Sequence, residues 1–338
     1  MNKIRNFNQT LTWFLSPKSL YLDEEGPWVV EMIAENLSCL YQNLPILKVR
    51  KKKELIEIQE LNNKDYIKTD SQYLTPVLDL KNYVKKNFSQ DLYDFIIHGS
   101  ISSLDYSMGW SDLDTYVILK SNTINNPREL IETRKKLLKV PEFLHQIDPL
   151  QHHGLIYATE FDLSSFFAHC LPVEVLKESK SLFKDSHLEV KQYRSKEETK
   201  YFLKKKLEFF KDCYENKAMF HHPLNGVYLL EDFKETNAMY QMKYFLSVLM
   251  SMPVFFLDAL GQASYKKDSF KKAKPYFGKE WEIIEISSEI RQQWQYNERH
   301  PYLGNEIPGW LINKLGKDYF SRAYNISKKM YELLDKKI

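Results

Sequence analysis

The sequence predicts an α+β protein, a mixed β-sheet flanked by helices and followed by a C-terminal all-α helical bundle, on three observations. Between Thr75 and Phe161, stretches with helical spacing alternate with short apolar strands. Beyond about Arg194 the apolar residues recur only at three- and four-residue steps. At 338 residues a single core is near its upper size, so the chain is expected to divide. The division expected is a partly helical N-terminal extension over 1–70, a sheet domain over 71–190 and a helical domain over 191–338.

Taken in order, Asp23 to Leu44 carries Trp28, Val29, Met32, Ile33, Leu37 and Leu40 at helical spacing, with Pro45 ending the run. Lys48-Val-Arg-Lys-Lys-Lys53 reads as a solvated hairpin or loop. Val77, Leu78, Leu80, Tyr83 and Val84 predict a helix over Thr75 to Phe88, and Tyr93 to His98 a strand ending at Gly99-Ser100. A second strand is expected over Asp112 to Leu119, then a loop over Asn122 to Asn125. Asn126 has the place of an N-cap, with Pro127 at the first helical position and Glu129 three residues after the cap. That helix should run to about Lys139, with Pro141 stopping it. A third extended stretch lies within Phe143 to Phe161, interrupted by Pro149 and Gly154.

Ser195-Lys-Glu-Glu198 has the form of a capping box, followed by the stripe Leu203, Leu207, Phe210, Tyr214. Ile283, Ile286, Ile290, Trp294 and Tyr319, Ala323, Ile326, Met330, Leu333 repeat the pattern. The apolar run Tyr244 to Leu257 is too short to span a bilayer and reads as a buried helix broken at Pro253. His221-His222-Pro223 reads as a helix-ending turn.

Composition narrows the function classes. Lys and Arg number 48 against 45 Asp and Glu, too even a balance for a protein whose task is to coat nucleic acid. The three cysteines form no CxxC pair, which suggests neither a disulfide framework nor a zinc knuckle. The opening Met1-Asn2-Lys3-Ile4-Arg5 lacks the apolar core of a signal peptide, so a cytoplasmic setting is expected. Phosphate-binding loop, dinucleotide, zincin and hydrolase-elbow motifs are absent, which demotes those classes.

The segment carrying chemistry runs from Phe95 to Leu119. Asp112 and Asp114 are two apart, a spacing that places both carboxylates on one face of a strand. Tyr116 to Leu119 are apolar on both faces, as in a central strand. Two like charges at the end of a buried strand are costly unless a cation lies between them, and hard oxygen ligands suit Mg²⁺ or Mn²⁺. Gly99 permits close backbone approach, so the following amide and the Ser100 hydroxyl can face a phosphate. A helix starting near Ser102 would add a favourable field for the anion. Taken singly, Ser-Asp-x-Asp is an ordinary solvated turn and Gly-Ser an ordinary hairpin turn; together, at this spacing and between apolar strands, they are specific.

A strand ending in Gly99-Ser100, about a dozen residues, then Ser111-Asp112-Leu-Asp114 inside an apolar strand closely resembles the signature of the polymerase-beta-like nucleotidyltransferase superfamily. The match covers about 25 residues directly, and the element order extends it over roughly 70–190. The resemblance implies the nucleotidyltransferase fold, with a helical domain of the kind common in that superfamily. It implies Mg²⁺ or Mn²⁺ on Asp112, Asp114 and a third carboxylate, with a nucleoside triphosphate held by Gly99, Ser100 and Ser111. Asp148 is favoured as the third acid, with Glu160 and Asp162 as alternatives. Lys266 or Lys267 is expected to reach a phosphate, with Arg291 a weaker candidate, and His152 and His153 could serve as ligand, base or substrate contact. The implied reaction moves a nucleoside monophosphate to a small-molecule or protein acceptor and releases pyrophosphate. A non-catalytic nucleotide-binding protein on the same fold and an RNA-directed terminal transferase are the rivals. No membrane partner is expected.

Overall fold

In the computed structural model, which describes residues 2–45, 52–148, 154–165, 173–192, 196–221, 226–229, 238–296 and 309–337, the chain divides into two units. The first is built from Met1–Asp105, Asp112–Cys170 and Leu176–Tyr193, the second from Tyr106–Ser111, Leu171–Val175 and Arg194–Ile338.

The first unit opens with α1 (Asn2–Leu15), which buries Ile4, Phe7, Leu11 and Phe14 along one stripe. The helix expected from Asp23 to Leu44 is two helices, α2 (Tyr21–Glu25) and α3 (Pro27–Gln42). Gly26 separates them at φ +116°, and Pro27 then occupies the first helical position of α3, where its missing N–H costs nothing. Next comes β1 (Lys52–Glu60), so Lys52 and Lys53 begin a strand rather than a loop, while 46–51 lie outside the described residues. Ile56 and Ile58 are 1% and 2% exposed, an alternation that needs a sheet to cover it.

The helix expected from Thr75 is the second half of α4 (Asn63–Asn87). Asn62 caps it by accepting from the Lys64 N–H at 3.1 Å. Asp70 breaks it with φ −164°, ψ 94° and caps the continuation, its carboxylate accepting from the Tyr73 N–H at 3.0 Å. There follow β2 (Leu92–His98), the single turn α5 (Gly99–Ser102) and β3 (Asp114–Leu119). The expected loop at Asn122–Asn125 is the short α6 (Ser121–Asn125). Asn126 caps α7 (Pro127–Leu137) as its sequence predicts, accepting from the N–H groups of Arg128 and Glu129. Pro141 does not merely stop α7; it starts α8 (Pro141–Ile147). The unit closes with β4 (Ile156–Thr159), α9 (Glu160–Ser164), the end of α10 (Val173–Lys177), β5 (Lys180–Ser181) and β6 (Ser186–Gln192).

The six strands form one mixed sheet in the order β4-β3-β2-β5-β1-β6, with β3–β4 and β1–β5 parallel and the other pairs antiparallel. Residues 1–70 are therefore no extension, since β1 lies inside this sheet. The helices before it are pinned by Arg134 of α7, which is fully buried. Its guanidinium donates to the Phe14 carbonyl at 2.9 Å, the Ser19 carbonyl at 2.8 Å and both oxygens of Asp23. Every direction of the planar fork is used, the condition under which a buried Arg is tolerable.

The second unit contains α11 (Lys196–Glu215), β7 (Ala218–His221), β8 (Gly226–Leu229), α12 (Ala238–Ala259), α13 (Lys266–Ala273), α14 (Glu282–Tyr296), α15 (Gly309–Leu315) and α16 (Tyr319–Lys337). It is not all-α. Lys217 turns the chain out of α11 at φ +51°, and β7 pairs antiparallel with β8, so His221 ends a strand rather than a helix. Nor does Pro253 break α12. The stretch Gln241–Ala259 is long and apolar enough by composition to cross a membrane, but 78% of its most apolar window is buried inside the structure. Packing on most sides holds the helix through the one hydrogen bond that proline removes.

Candidate metal and phosphate site

The site is built at the end of the β2–β3 pair where the chain leaves β2 and re-enters at β3. Antiparallel register sets Ile97 opposite Thr115 and His98 opposite Asp114, so the chain leaving β2 passes directly beside the start of β3. Gly99 is the next residue, at φ +75°. A Cβ built on it would lie 2.2 Å from Oδ2 of Asp114 and 3.2 Å from its Cγ. The Asp114 carboxylate thus fills the space a side chain at 99 would need, and both the conformation and the contact demand glycine.

The turn after Gly99 is held from outside. The buried Tyr66 hydroxyl, whose pKa burial pushes far up, donates to the carbonyls of Ile101 and Ser102 at 3.1 and 3.3 Å. Ser102 donates to the Glu178 carbonyl at 2.7 Å, and the Asp105 N–H returns to the Ser100 carbonyl at 2.9 Å. The helix expected near Ser102 therefore starts at Gly99 and lasts one turn, with Ser100 only 6% exposed within it.

Asp112 and Asp114 are both half-buried, and the Leu113 between them is fully buried. That alternation is what the i, i+2 spacing predicts, although regular pairing begins at Asp114 rather than Asp112. Two half-buried acids two residues apart offer hard oxygens of the kind that suit Mg²⁺ or Mn²⁺. Ser111, expected beside the phosphates, is 1% exposed, and its Oγ accepts from the Ser107 N–H at 2.9 Å. It closes the preceding turn.

None of the three candidates for a third acid lies on a strand. Asp148 caps the C-terminal end of α8 and is 1% exposed. Glu160 opens α9 and accepts from the Ser121 N–H at 2.7 Å. Asp162 completes a capping box with Thr159, accepting from its N–H at 2.8 Å and its hydroxyl at 2.9 Å, and from Asn8 at 3.0 Å. The parallel neighbour of β3, Ile156–Thr159, carries no carboxylate. Among the described residues, no group of three or more His, Cys, Asp or Glu is arranged to hold a metal ion. His152 and His153 lie outside the described residues. Lys266 and Lys267 are the first two residues of α13 and Arg291 lies on α14, all in the second unit.

One acid in this sheet escaped the sequence reading. Asp94 on β2 is 1% exposed and accepts from the hydroxyls of Ser181 and Ser186, each at 2.6 Å, and from the Phe95 N–H at 2.8 Å. Burial raises its pKa against the opposing pull of those three donors. A lone acid in an otherwise apolar strand was the available signal, and its partners lie more than 80 residues away. No protein-family model, curated protein or solved structure matches the chain.

Proposed function

We propose that the chain is a metal-dependent nucleotidyltransferase, moving a nucleoside monophosphate from a triphosphate to a small-molecule or protein acceptor. The observation that carries this reading is the Asp114 carboxylate seated where a Cβ of Gly99 would be. It makes the Gly-Ser turn and the Asp-x-Asp pair parts of one corner, as a phosphate cradle beside a metal-binding pair has to be. In this reading Asp112 and Asp114 hold Mg²⁺ or Mn²⁺. When bound, the ion neutralises charge on the triphosphate and in the in-line transition state.

The protein's own contribution is placement. Gly99, having no Cβ, lets the Asp114 carboxylate lie directly against the backbone of the turn. The Tyr66 clasp holds that turn still, so little reorganisation is needed as charge develops. Leu113 anchors the strand between the two carboxylates. The reading rests on Asp112 and Asp114 alone; roles for Asp148, Lys266 and Lys267 belong to the same proposal.

The test uses labelled triphosphates, Mg²⁺ or Mn²⁺ and a cell extract, with mass spectrometry of the labelled product. Asp112→Asn and Asp114→Asn should each lower metal-dependent pyrophosphate release by about 10³-fold or more, an electrostatic loss of the size seen when a key transition-state contact is removed. Melting temperature should stay near that of the wild type. Wild-type turnover in either variant would remove the assignment. Nucleotide binding with no pyrophosphate would select the non-catalytic rival.

A further inference from the structure

Within the sheet unit, α3 is apolar on more sides than its packing uses. Val30, Ala34, Leu37 and Tyr41 form its buried side. Opposite them Trp28, Met32, Glu35 and Cys39 follow at i, i+4, i+7 and i+11, a single line along the helix, and all four are exposed. Trp28 is 65% exposed, Met32 47% and, beside that line, Leu40 48%, while Val29 and Ile33 are half-buried. A helix apolar on most sides is ordinarily an interior one. Trp and Met facing solvent one turn apart are therefore informative, because a clustered exposed apolar surface marks an interaction site.

The tryptophan is held in place. A Cβ built on Gly26 would lie 3.2 Å from Trp28 Cδ1 and 3.3 Å from its Nε1, so the edge of the indole rests against the bare backbone of the turn before α3. An exposed aromatic that is already ordered loses little freedom on contact, the property of an interface anchor. The charge around it has one sign. From Leu20 to Pro45 the sequence holds Asp23, Glu24, Glu25, Glu31 and Glu35 and no Lys, Arg or His, in a chain where bases outnumber acids. Asp23 is taken by Arg134. Glu24, Glu25, Glu31 and Glu35 are exposed and make no ion pair among the described residues.

We propose that the outer face of α3 docks a basic amphipathic helix of another protein, with the apolar side of that helix on Trp28 and Met32 and its Lys or Arg residues against Glu31 and Glu35. A second copy of the chain does not fit, since a two-fold contact sets the patch against itself and brings these acids face to face. Anionic lipid and nucleic acid are repelled by the same charge. An extended partner strand needs a sheet edge to add to, whereas α3 offers ridges of side chains, so the match is helix on helix. The proposal is independent of Asp112 and Asp114 and of the reaction assigned to them.

The test is titration of the full chain into a labelled synthetic Leu/Lys peptide that forms an amphipathic helix, followed by fluorescence anisotropy. The same peptide with Glu at every Lys position is the second arm. The Lys peptide should bind, bind less tightly as salt rises, and protect the exposed Cys39 from alkylation. The Glu peptide should bind at least about tenfold more weakly, because like charges then meet across the contact. Trp28→Ala should weaken binding of the Lys peptide about thirtyfold, the loss of an anchor residue, with melting temperature near that of the wild type. Met32→Ala should cost about fivefold, and Glu31→Gln with Glu35→Gln should remove most of the salt dependence. Leu55→Ala, which truncates a leucine 62% exposed on β1, is the control and should change nothing. Equal binding of the two peptides, wild-type affinity in Trp28→Ala, or equal weakening in Leu55→Ala overturns the proposal. So does binding to anionic vesicles, or a dimer in sedimentation, that Trp28→Ala abolishes, since either gives this face to a different occupant.

Discussion

Two acid pairs in this protein share one spacing and have different fates. Asp112/Asp114 and Glu160/Asp162 are each two apart, beside a strand of the same sheet. The first pair enters β3 with a buried leucine between and stays half-buried, with Asp114 lying against Gly99. The second pair follows β4 into the first turn of α9, where Asp162 accepts from the Thr159 N–H at the start of that helix and Glu160 from the Ser121 N–H at the start of α6. Spacing alone cannot separate a ligand pair from a capping pair. What separates them is the direction in which regular structure continues: a strand after the acids leaves them at an edge, whereas a helix after them consumes them.

The sharpest way to break this contrast is at Gly99. Gly99→Ala places a methyl where Asp114 Oδ2 now stands and forces a positive φ on an L-residue, a conformational cost of about 1–2 kcal/mol before any displacement. Mn²⁺ affinity should fall about tenfold or more alongside a loss of stability in urea unfolding. A variant that loses stability but binds Mn²⁺ normally would show that the close approach is only structural.

Asp162→Ala should give the opposite signature. It strips the acceptor from the Thr159 N–H, in a residue that is fully buried, at a cost of about 1–3 kcal/mol, while leaving Mn²⁺ binding unchanged. Calorimetric unfolding and metal titration on the same sample would separate the two pairs. Altered metal affinity in this variant would bring Asp162 back as a third ligand.

The smallest effect belongs to Asp94. Its folded-state pKa lies above its unfolded value because burial disfavours the charge, so the folded state binds the proton more tightly. Its stabilising contribution is complete below the ordinary carboxylate range, about 3.9, and is lost as pH rises through the elevated folded value. Asp94→Asn should flatten that part of the pH–stability curve in urea unfolding and leave the metal site untouched. A curve with unchanged slope would mean the serine hydroxyls, rather than burial, govern this group.

The corner was legible because its parts are local and mutually confirming: two apolar strands, a glycine at the end of one, and acids at the start of the next. The capping role of Asp162 was also written locally, in Thr159-x-x-Asp162, but the extended stretch expected somewhere within Phe143 to Phe161 masked it. Other features depend on distant partners. The alternation of Ile56 and Ile58 follows a basic run that pointed to solvent, and only pairing with β5 and β6, more than 120 residues on, makes it a strand. Ser111 reads as part of the cradle, since nothing in its own sequence reveals that its hydroxyl closes a turn whose Trp110 finds Trp294.

The buried guanidinium of Arg134 has a consequence for the order in which the protein can form. Its acceptors on the N-terminal helices precede it by 111 to 120 residues. At a synthesis rate of about 5–20 residues per second, those helices wait roughly 6–24 seconds for their anchor to be made. Throughout that interval Phe7, Phe14 and Leu37 have no completed core to enter. Those helices are thus made well before the side chain that ties them together.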